Sequence, residues 1–400
     1  MRLSSAQIFQ QGISAILAQQ SKLAHTEQQL ATGQRMLTPS DDPAAAVQVL
    51  SITEDLQLID QYQSNGNIAE GQLALEETAL SDVGTLLGRV RELVLQANNA
   101  SQSPETRHSI AVEISSRLEE LQGLANTRDS DGEYIFAGFQ AKSVPFSRQG
   151  SSFSYNGDSG QRMLQLAGST QVAVRDSGFD VFLDVLSGNG TFDIQQAATN
   201  SGTAVVGRSS ENGAFVADAY DIVFSQAAPA APVTYQVLDS SAAVISSGNY
   251  TSGETIDFSG VSIQFSGAPA DGDNFQVSPS VRQDMFTTVH DIASQLDNTA
   301  SMPSDIAALN NAMGQALNNL DQALQHVQEV RADVGVRLGR VDSQLDSNDS
   351  FNLQLQKTLS EIQDLDYAEA ISQFDLQLVT LQAAQQSYVK MQGLSLFNFL

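Results

Sequence analysis

The chain has 400 residues, enough for more than one domain, and carries 19 Lys and Arg against 46 Asp and Glu, a formal net charge of -27. This charge repels phosphate backbones and anionic lipid headgroups, so it argues against nucleic acid and bare membrane as partners. Cysteine is absent, which excludes disulfides, thiolate metal sites and thiol nucleophiles.

The first segment, MRLSSAQIFQQGISAILAQQ, differs from a secretory signal because it lacks a continuous apolar stretch and a small-residue cleavage site. No run in the chain approaches the roughly 18 apolar residues that a membrane-spanning helix needs. We therefore expect no membrane insertion, and we expect any export from the cytoplasm to leave the front end uncut.

From residue 1 to about 135, the chain has the composition and spacing of long helices. Asp42 and Ser103 are predicted N-caps, because each directly precedes a proline, Pro43 or Pro104, that suits the first position of a helix. The clearest apolar stripe in this region consists of Leu80, Val83, Leu87, Val90 and Val94.

Residues from about 136 to 280 change character, since Gly, Ser, Thr, Asn and Asp become frequent. Turn clusters such as NGDSG and PADGDN separate short apolar runs, which predicts an all-β and antiparallel region. The predicted strands include Gln171–Val174, Tyr220–Phe224, Val233–Val237 and Val261–Phe265.

Helical spacing returns from about residue 281 and continues to the end. Pro303 is expected to open a helix, with Ser301 or Ser304 as its cap. A near-heptad stripe follows, broken where Arg331 falls on the seam. Any one stripe also fits an ordinary globular bundle. Together they favour an α+β multidomain fold, in which both termini form a long helical bundle or coiled coil around an inserted all-β domain.

Candidate catalytic and metal-binding residues are sparse, and we predict no active site, cofactor or metal. Four histidines occur singly in helical regions and are expected at the surface or on a seam: His25, His108, His290 and His326. Adjacent acidic residues on a helix point about 100° apart, so three pairs are expected to be caps or solvated faces: Asp41-Asp42, Glu76-Glu77 and Glu119-Glu120.

Two loops bear a superficial likeness to calcium sites. They are DSDGEY, with Asp129, Asp131 and Gly132, and PADGDN, with Asp271 and Asp273. Neither supplies the closing Glu of a twelve-residue calcium loop, so plain turns are favoured.

The last ten residues, MQGLSLFNFL, are unusually apolar for a chain end. Leu396 and Phe397 are adjacent, as are Phe399 and Leu400, so these side chains cannot share one helical face. A tail that is apolar on several sides is expected to be buried among neighbouring molecules.

The segment LATGQRMLTPSDDPAAAVQVL, residues 30–50, resembles the N-terminal signature of the bacterial flagellin family. Three more segments, MRLSSAQIFQQG, DGEYIFAGFQAKSVPF and LSLFNFL, resemble the member of that family that joins the flagellar hook to the filament. The resemblance covers both terminal regions, more than half of the chain, and the β-rich middle matches only in part.

The resemblance implies a structural protein, not an enzyme, at the extracellular hook-filament junction, exported by the flagellar type III apparatus. It implies that 1–38 and 365–400 form an inner tube layer and are flexible in the monomer. It further implies a helical core domain from 39–135 and 281–364, and an outward-facing β domain over 136–280. The implied partners are other copies in a ring, a hook-side hook-associated protein, filament-side flagellin and an export chaperone. We assign the assembly interface to Ile8, Ile13, Leu17, Leu378, Leu381, Tyr388, Leu394, Leu396, Phe397, Phe399 and Leu400.

Other classes of protein remain as alternatives. A flagellin filament subunit is the nearest, although the DGEYIFAGF and LSLFNFL segments argue against it. An adhesin, or an enzyme such as a glycan hydrolase, would have its site in the β domain, and the enzyme would need carboxylates that converge in a cleft. A translocator that enters host membrane would require a longer apolar hairpin than this chain contains.

Overall fold

A computed structural model of the chain describes residues 5–228, 231–297 and 302–393. The chain falls into two compact units, one formed by 1–65 with 343–400 and the other by 66–342. The expected combination of terminal helices with an all-β middle region is confirmed.

Long helices occupy both terminal regions, and the two longest span 55 and 61 residues. The helices before the strands are α1 (Ser5–Thr32), α2 (Pro43–Ala97) and α3 (Pro104–Ala125). Those after the strands are α4 (Met285–Asp297), α5 (Pro303–Gln363) and α6 (Tyr367–Gly393).

The N-termini of α2 and α3 have capped proline starts. The Asp42 carboxylate accepts the backbone N–H three residues on at 3.1 Å, and Pro43 is the first residue of α2. The Ser103 hydroxyl accepts the corresponding N–H at 3.3 Å, and Pro104 begins α3. In both cases a side-chain oxygen satisfies one of the N–H groups that a helix start leaves unpaired.

Helix α5 begins at Pro303 as expected, and the residue directly before this proline is Met302. Ser304 lies inside the helix, and Ser301 lies outside the described residues. Met302 stands before the proline, and its carbonyl accepts a backbone N–H of the first turn at 3.1 Å. The Asp305 carboxylate in turn accepts the Met302 N–H at 3.2 Å.

The strands pair antiparallel throughout the described region. They are β1 (Phe146–Gln149), β2 (Ser152–Tyr155), β3 (Met163–Ala167), β4 (Thr170–Ala173), β5 (Val185–Leu186), β6 (Phe192–Gln196), β7 (Val205–Glu211), β8 (Tyr220–Ser225), β9 (Thr234–Leu238), β10 (Val244–Asn249), β11 (Thr255–Phe258), β12 (Val261–Ser266), β13 (Asn274–Pro279) and β14 (Arg282–Gln283).

The first strands pack on helices. The hairpins β1-β2 and β3-β4 stand apart from the larger sheets. The Phe146 ring of β1 lies 4.9 Å from the Phe286 ring of α4, and Phe153 of β2 stacks on the same ring at 5.2 Å. Asn126, directly after α3, also exchanges two hydrogen bonds of 2.9 Å with the backbone of Phe146. The β-rich middle is therefore not one packed body.

The later strands form a separate sandwich. A five-stranded sheet in the order β10-β9-β8-β13-β6 and a three-stranded sheet in the order β11-β12-β7 share one buried core. The core contains Phe224, Phe265 and Phe275, all with exposures of 1% or less. Two short strands, β5 and β14, pair with each other where the chain enters and leaves this sandwich.

Side-chain amides of α5 hydrogen-bond to the backbone and to one side chain of the sandwich and the segment before it. The Asn311 carbonyl oxygen accepts a β7 backbone N–H at 2.7 Å, and Gln315 donates to the Asp193 carboxylate at 2.9 Å. Asn319 accepts the Gly188 N–H at 2.6 Å. The three amides are four residues apart and lie on one face of the helix, so this contact is polar and specific.

A buried charged network corrects one expectation about the acidic pairs. Glu76 is fully buried, not solvated, and its Oε1 accepts the Asp176 N–H at 2.9 Å. The Asp176 carboxylate pairs with Arg337. Glu77, turned about 100° away on the same helix, pairs with Arg331 at 2.6 Å. Arg331 interrupts the apolar seam because it meets this carboxylate.

Candidate assembly interface

In the unit that combines both ends of the chain, α1 and α6 pair through modest contacts. The Phe9 and Tyr388 rings meet edge to face with centroids 6.2 Å apart, and a Cβ added at Gly12 would lie 3.2 Å from the Tyr388 ring. Further along, the Thr26 hydroxyl lies 3.1 Å from the Gln377 side-chain oxygen. Small and polar residues thus separate the few apolar contacts of this pair.

The turns that end α1 and begin α6 are hydrogen-bonded to each other. Arg35 donates its backbone N–H to the Gln363 carbonyl at 2.8 Å, and Leu365 donates to the Gly33 carbonyl at 2.9 Å. Gly33 has a φ of 73°, and a Cβ there would lie 2.8 Å from the Tyr367 hydroxyl. The positive φ favours glycine at this turn, whereas the Tyr367 side chain is exposed and could shift to make room.

The predicted interface residues that the structure describes divide into two groups. Leu381 is buried, and Tyr388 is half-buried against α1. Ile13, Leu17 and Leu378 are 46%, 58% and 37% exposed, so their side chains remain available to another molecule. The side chain of Ile8 lies outside the described residues, as do the tail residues Leu394, Leu396, Phe397, Phe399 and Leu400.

The same unit exposes further large apolar side chains that the heptad stripe did not indicate. Leu376 and Val379 of α6 are 69% and 61% exposed, and they flank Leu378 on other faces of the helix. The signal was present in the sequence, because apolar residues occur on several faces of α6 at once. The others are Val47, Leu50, Leu58, Phe351, Leu353 and Val389.

These exposed side chains give the unit a capacity for association. Complete burial of one large apolar side chain stabilises a protein or complex by about 1.5–3 kcal/mol. The exposed side chains of this unit are roughly half buried already, so each can still gain roughly half of that free energy when a partner covers it. The summed gain is on the order of 10 kcal/mol, before the costs of association are subtracted. Helices with apolar residues on several sides fit partners on several sides, as in a packed layer of helices.

A cavity of about 1000 Å³ lies in the other unit, between α5 and the sandwich. Four carboxylates line it, but Asp193 accepts from Gln315, Asp321 pairs with Arg91 at 2.6 Å, and Asp305 caps α5. The fourth carboxylate is that of Asp291, and burial raises its pKa.

The two calcium-like loops are hydrogen-bonded turns. Asp129 accepts the backbone N–H of Asp131 at 3.0 Å and pairs with Arg175 at 2.5 Å. Asp273 is buried and accepts backbone N–H groups, and Asp271 accepts one at 2.8 Å. Over 5–228, 231–297 and 302–393, no group of three or more acidic or histidine side chains is placed to hold a metal ion.

Hydropathy along the helices is also informative. Within the described part of the chain, none of the helices combines the length and apolar character that crossing a bilayer requires.

Comparison with known proteins covers the whole chain. The family model of the bacterial flagellin N-terminal helical region matches residues 4–141, and that of the C-terminal helical region matches 317–400. The chain is 26% identical to flagellar hook-associated protein 3 of Escherichia coli (strain K12) over 399 residues, which is 100% of this chain and 99% of the relative.

The chain is also similar to a solved junction-protein structure over most of its length and to a flagellin over a shorter part. The crystal structure of the flagellar junction protein FlgL from Legionella pneumophila matches with a TM-score of 0.72 and 32% identity, over 79% of this chain and 100% of that chain. Phase 1 flagellin of Salmonella naestved is 30% identical over 118 residues, only 30% of this chain and 23% of the flagellin.

Proposed function

The chain belongs to the bacterial flagellin family and is a homologue of flagellar hook-associated protein 3, and on that premise we propose that it forms the junction between hook and filament. The observation that carries the proposal is coverage: the likeness to junction proteins extends over the chain, whereas the likeness to flagellin stops after 118 residues. A structural part of the flagellum needs no catalytic site.

The proposed mechanism is association through the terminal helices. The exposed apolar side chains of α1, α6 and the adjoining parts of α2 and α5 would be buried against other copies in a ring, against a hook-side hook-associated protein and against filament-side flagellin. A junction must accept two kinds of neighbour. Many modest contacts tolerate such a mismatch better than a few large ones, and the small and polar contacts between α1 and α6 support this view.

The proposal also covers the route by which the chain is exported and the layer of the assembly that its terminal segments occupy. We propose export through the flagellar type III apparatus without signal cleavage and with the help of a chaperone. The assignment of 1–38 and 365–400 to an inner layer, and their order in the free monomer, stay predictions that hydrogen exchange before and after assembly would test.

A deletion strain separates junction protein from filament subunit. Without the junction, cells should build hooks and release filament subunits into the medium, because the filament has no base on which to assemble. If the deletion instead leaves no filament subunit to release, this chain is the filament subunit.

Point variants in the complemented strain test the interface. Replacing Leu376 and Val379 by serine should abolish filament retention while leaving the monomer's melting temperature nearly unchanged, since both side chains are mostly exposed. Val244→Ser on β10, 52% exposed, is the matched control and should retain filaments. Normal filaments on the doubly substituted protein would exclude this face from the interface.

A further inference from the structure

One aromatic side chain outside the terminal helices is held on the surface by an elaborate backbone arrangement. Phe139, in the loop between α3 and β1, is 70% exposed. Its ring lies directly over Gly160, where an added Cβ would collide with it. Single exposed apolar residues are common, so the exposure alone indicates nothing.

The backbone around Phe139 is tied down on both sides of the ring. The Asp158 carboxylate accepts the Phe139 N–H at 2.9 Å and the Gly160 N–H at 2.8 Å, and these bonds lower the pKa of Asp158. Gly138 has a φ of 67°, and a Cβ there would collide with the Asp158 carbonyl. The Tyr155 hydroxyl lies 2.8 Å from that same carbonyl.

These bonds hold the backbone on both sides of Phe139 and leave its ring at the surface. A loop whose backbone is already held loses little conformational freedom when a partner covers it, so the arrangement favours binding over core stability. Val144, 45% exposed, and the exposed Lys142 belong to the same loop. We call Phe139, Lys142 and Val144 the loop surface.

Charge indicates what kind of partner the loop surface fits. Residues 139–157 contain no Asp or Glu and carry Lys142 and Arg148, while the remaining residues carry 17 basic against 46 acidic side chains. The three longest stretches without Asp or Glu are 1–26, 376–400 and 134–157, and the last of these contains the loop surface. The first two belong to the proposed assembly helices.

Copies of a chain with a net charge of -27 repel each other, so surfaces that meet in a ring must avoid like charges. A surface with no acidic residues and one or two basic ones satisfies this condition. It also complements the acidic helices that dominate the rest of the chain. The terminal segments and the loop surface share this property.

We propose that the loop surface packs against an acidic helical face of a second copy of this chain. The inference rests on the proposed function, because copies meet only in the assembly. It adds a second copy-to-copy contact, outside the terminal helices, in which the Phe139 ring is the central apolar contact and Lys142 supplies charge complementarity.

Photo-cross-linking in assembled flagella tests the proposal. A benzophenone amino acid placed at Phe139 should cross-link to a helical peptide of a second copy of the chain, identified by mass spectrometry. The same probe at Leu376 reports on the terminal interface, and the probe at Val244 of the sandwich is the control that should give little copy-to-copy product.

The outcomes are distinguishable. A product from position 376 without one from position 139 overturns this inference and leaves the proposed function intact. A product between position 139 and a different flagellar protein also overturns it. If neither position yields a product with another copy, the inference and the proposed self-assembly fall together.

Reversing the charge of Lys142 provides a second test of the proposed contact. With the probe at Val144, Lys142→Glu should lower the yield of copy-to-copy product by about tenfold, since a like-charge contact replaces an attractive one. Lys142→Met, which removes the charge but keeps the aliphatic length, should lower it less. Equal yields in all three proteins would show that charge complementarity plays no part in the contact.

Discussion

Replacing Glu76 by glutamine should stabilise the protein at neutral and alkaline pH, although it removes an ionisable residue that lies beside an ion pair. Glu76 is fully buried, one carboxyl oxygen accepts the Asp176 N–H, and the other has no hydrogen-bond partner. Burial, reinforced by the neighbouring Asp176 carboxylate, raises the pKa of Glu76 to about 8 from its ordinary 4.5, while Arg337 and Arg175 oppose the shift.

The direction of the pH dependence follows from proton binding. Between pH 4.5 and about 8, the folded chain keeps a proton on Glu76 that the unfolded chain has released. The free energy of unfolding therefore falls as the pH rises through this range, by about 1.4 kcal/mol per pH unit where the difference is complete. The total loss is on the order of 5 kcal/mol. Glutamine preserves the acceptor for Asp176 and does not titrate, so the variant escapes this loss.

Urea unfolding between pH 5 and pH 9 measures the effect. The parent and Glu76→Gln should have similar free energies of unfolding near pH 5 and should diverge progressively up to about pH 8. Glu77→Gln is the matched control, because Glu77 is the next residue on the helix and forms a partly exposed pair with Arg331. It should lower stability by about 1 kcal/mol or less and leave the pH dependence in place.

The reasoning would be refuted by a Glu76→Gln protein whose stability declines with pH as steeply as that of the parent. Lower stability of the variant at pH 8 would equally contradict it, since that would mean the buried carboxylate gains more from its charged neighbours than it loses by burial.

Other consequences of the structure can be tested on the same protein. Arg337→Met should destabilise it by about 3 kcal/mol in urea unfolding, because Asp176 would stay buried without its cation, whereas the exposed Arg340→Met should change little. Asn319→Ala should cost about 1–3 kcal/mol by leaving a buried Gly188 N–H without an acceptor, and equal stability would show that water replaces the amide. Deleting the sandwich from 188 to 279 and closing the gap with a short glycine linker should leave a folded helical protein. The chain segments before and after the sandwich are hydrogen-bonded to each other, at 2.7 and 2.8 Å, and the exposed face of α5 would be polar. Loss of cooperative thermal unfolding would contradict that expectation.

Local sequence was a good guide wherever neighbouring residues decide the structure. The starts of α2 and α3 were predictable, because a capping side chain followed by proline fixes a helix start within a few residues. The apolar runs that begin β8 and β12 were likewise recognised from composition and flanking turns.

The assembly surface stays a prediction, and the structure shows only which of its assigned residues are exposed. Ile13 and Leu17 were assigned to it from their place in the chain and are exposed, whereas Leu381, assigned with them, is buried in the described structure. Leu376 and Val379, which are also exposed, were not assigned to it because a search for a single stripe discards apolar residues on other faces of the same helix.

Tertiary structure alone decided which strands belong together and which charges are buried. Strand chemistry is the same in β1, which packs on α4, and in β8, which lies in the sandwich, because period-2 alternation does not specify what covers a face. Glu76 and Glu77 are chemically identical neighbours in the sequence. A rotation of about 100° along one helix places the first among buried groups and the second beside Arg331 near solvent, so their environments differ only after the helices pack.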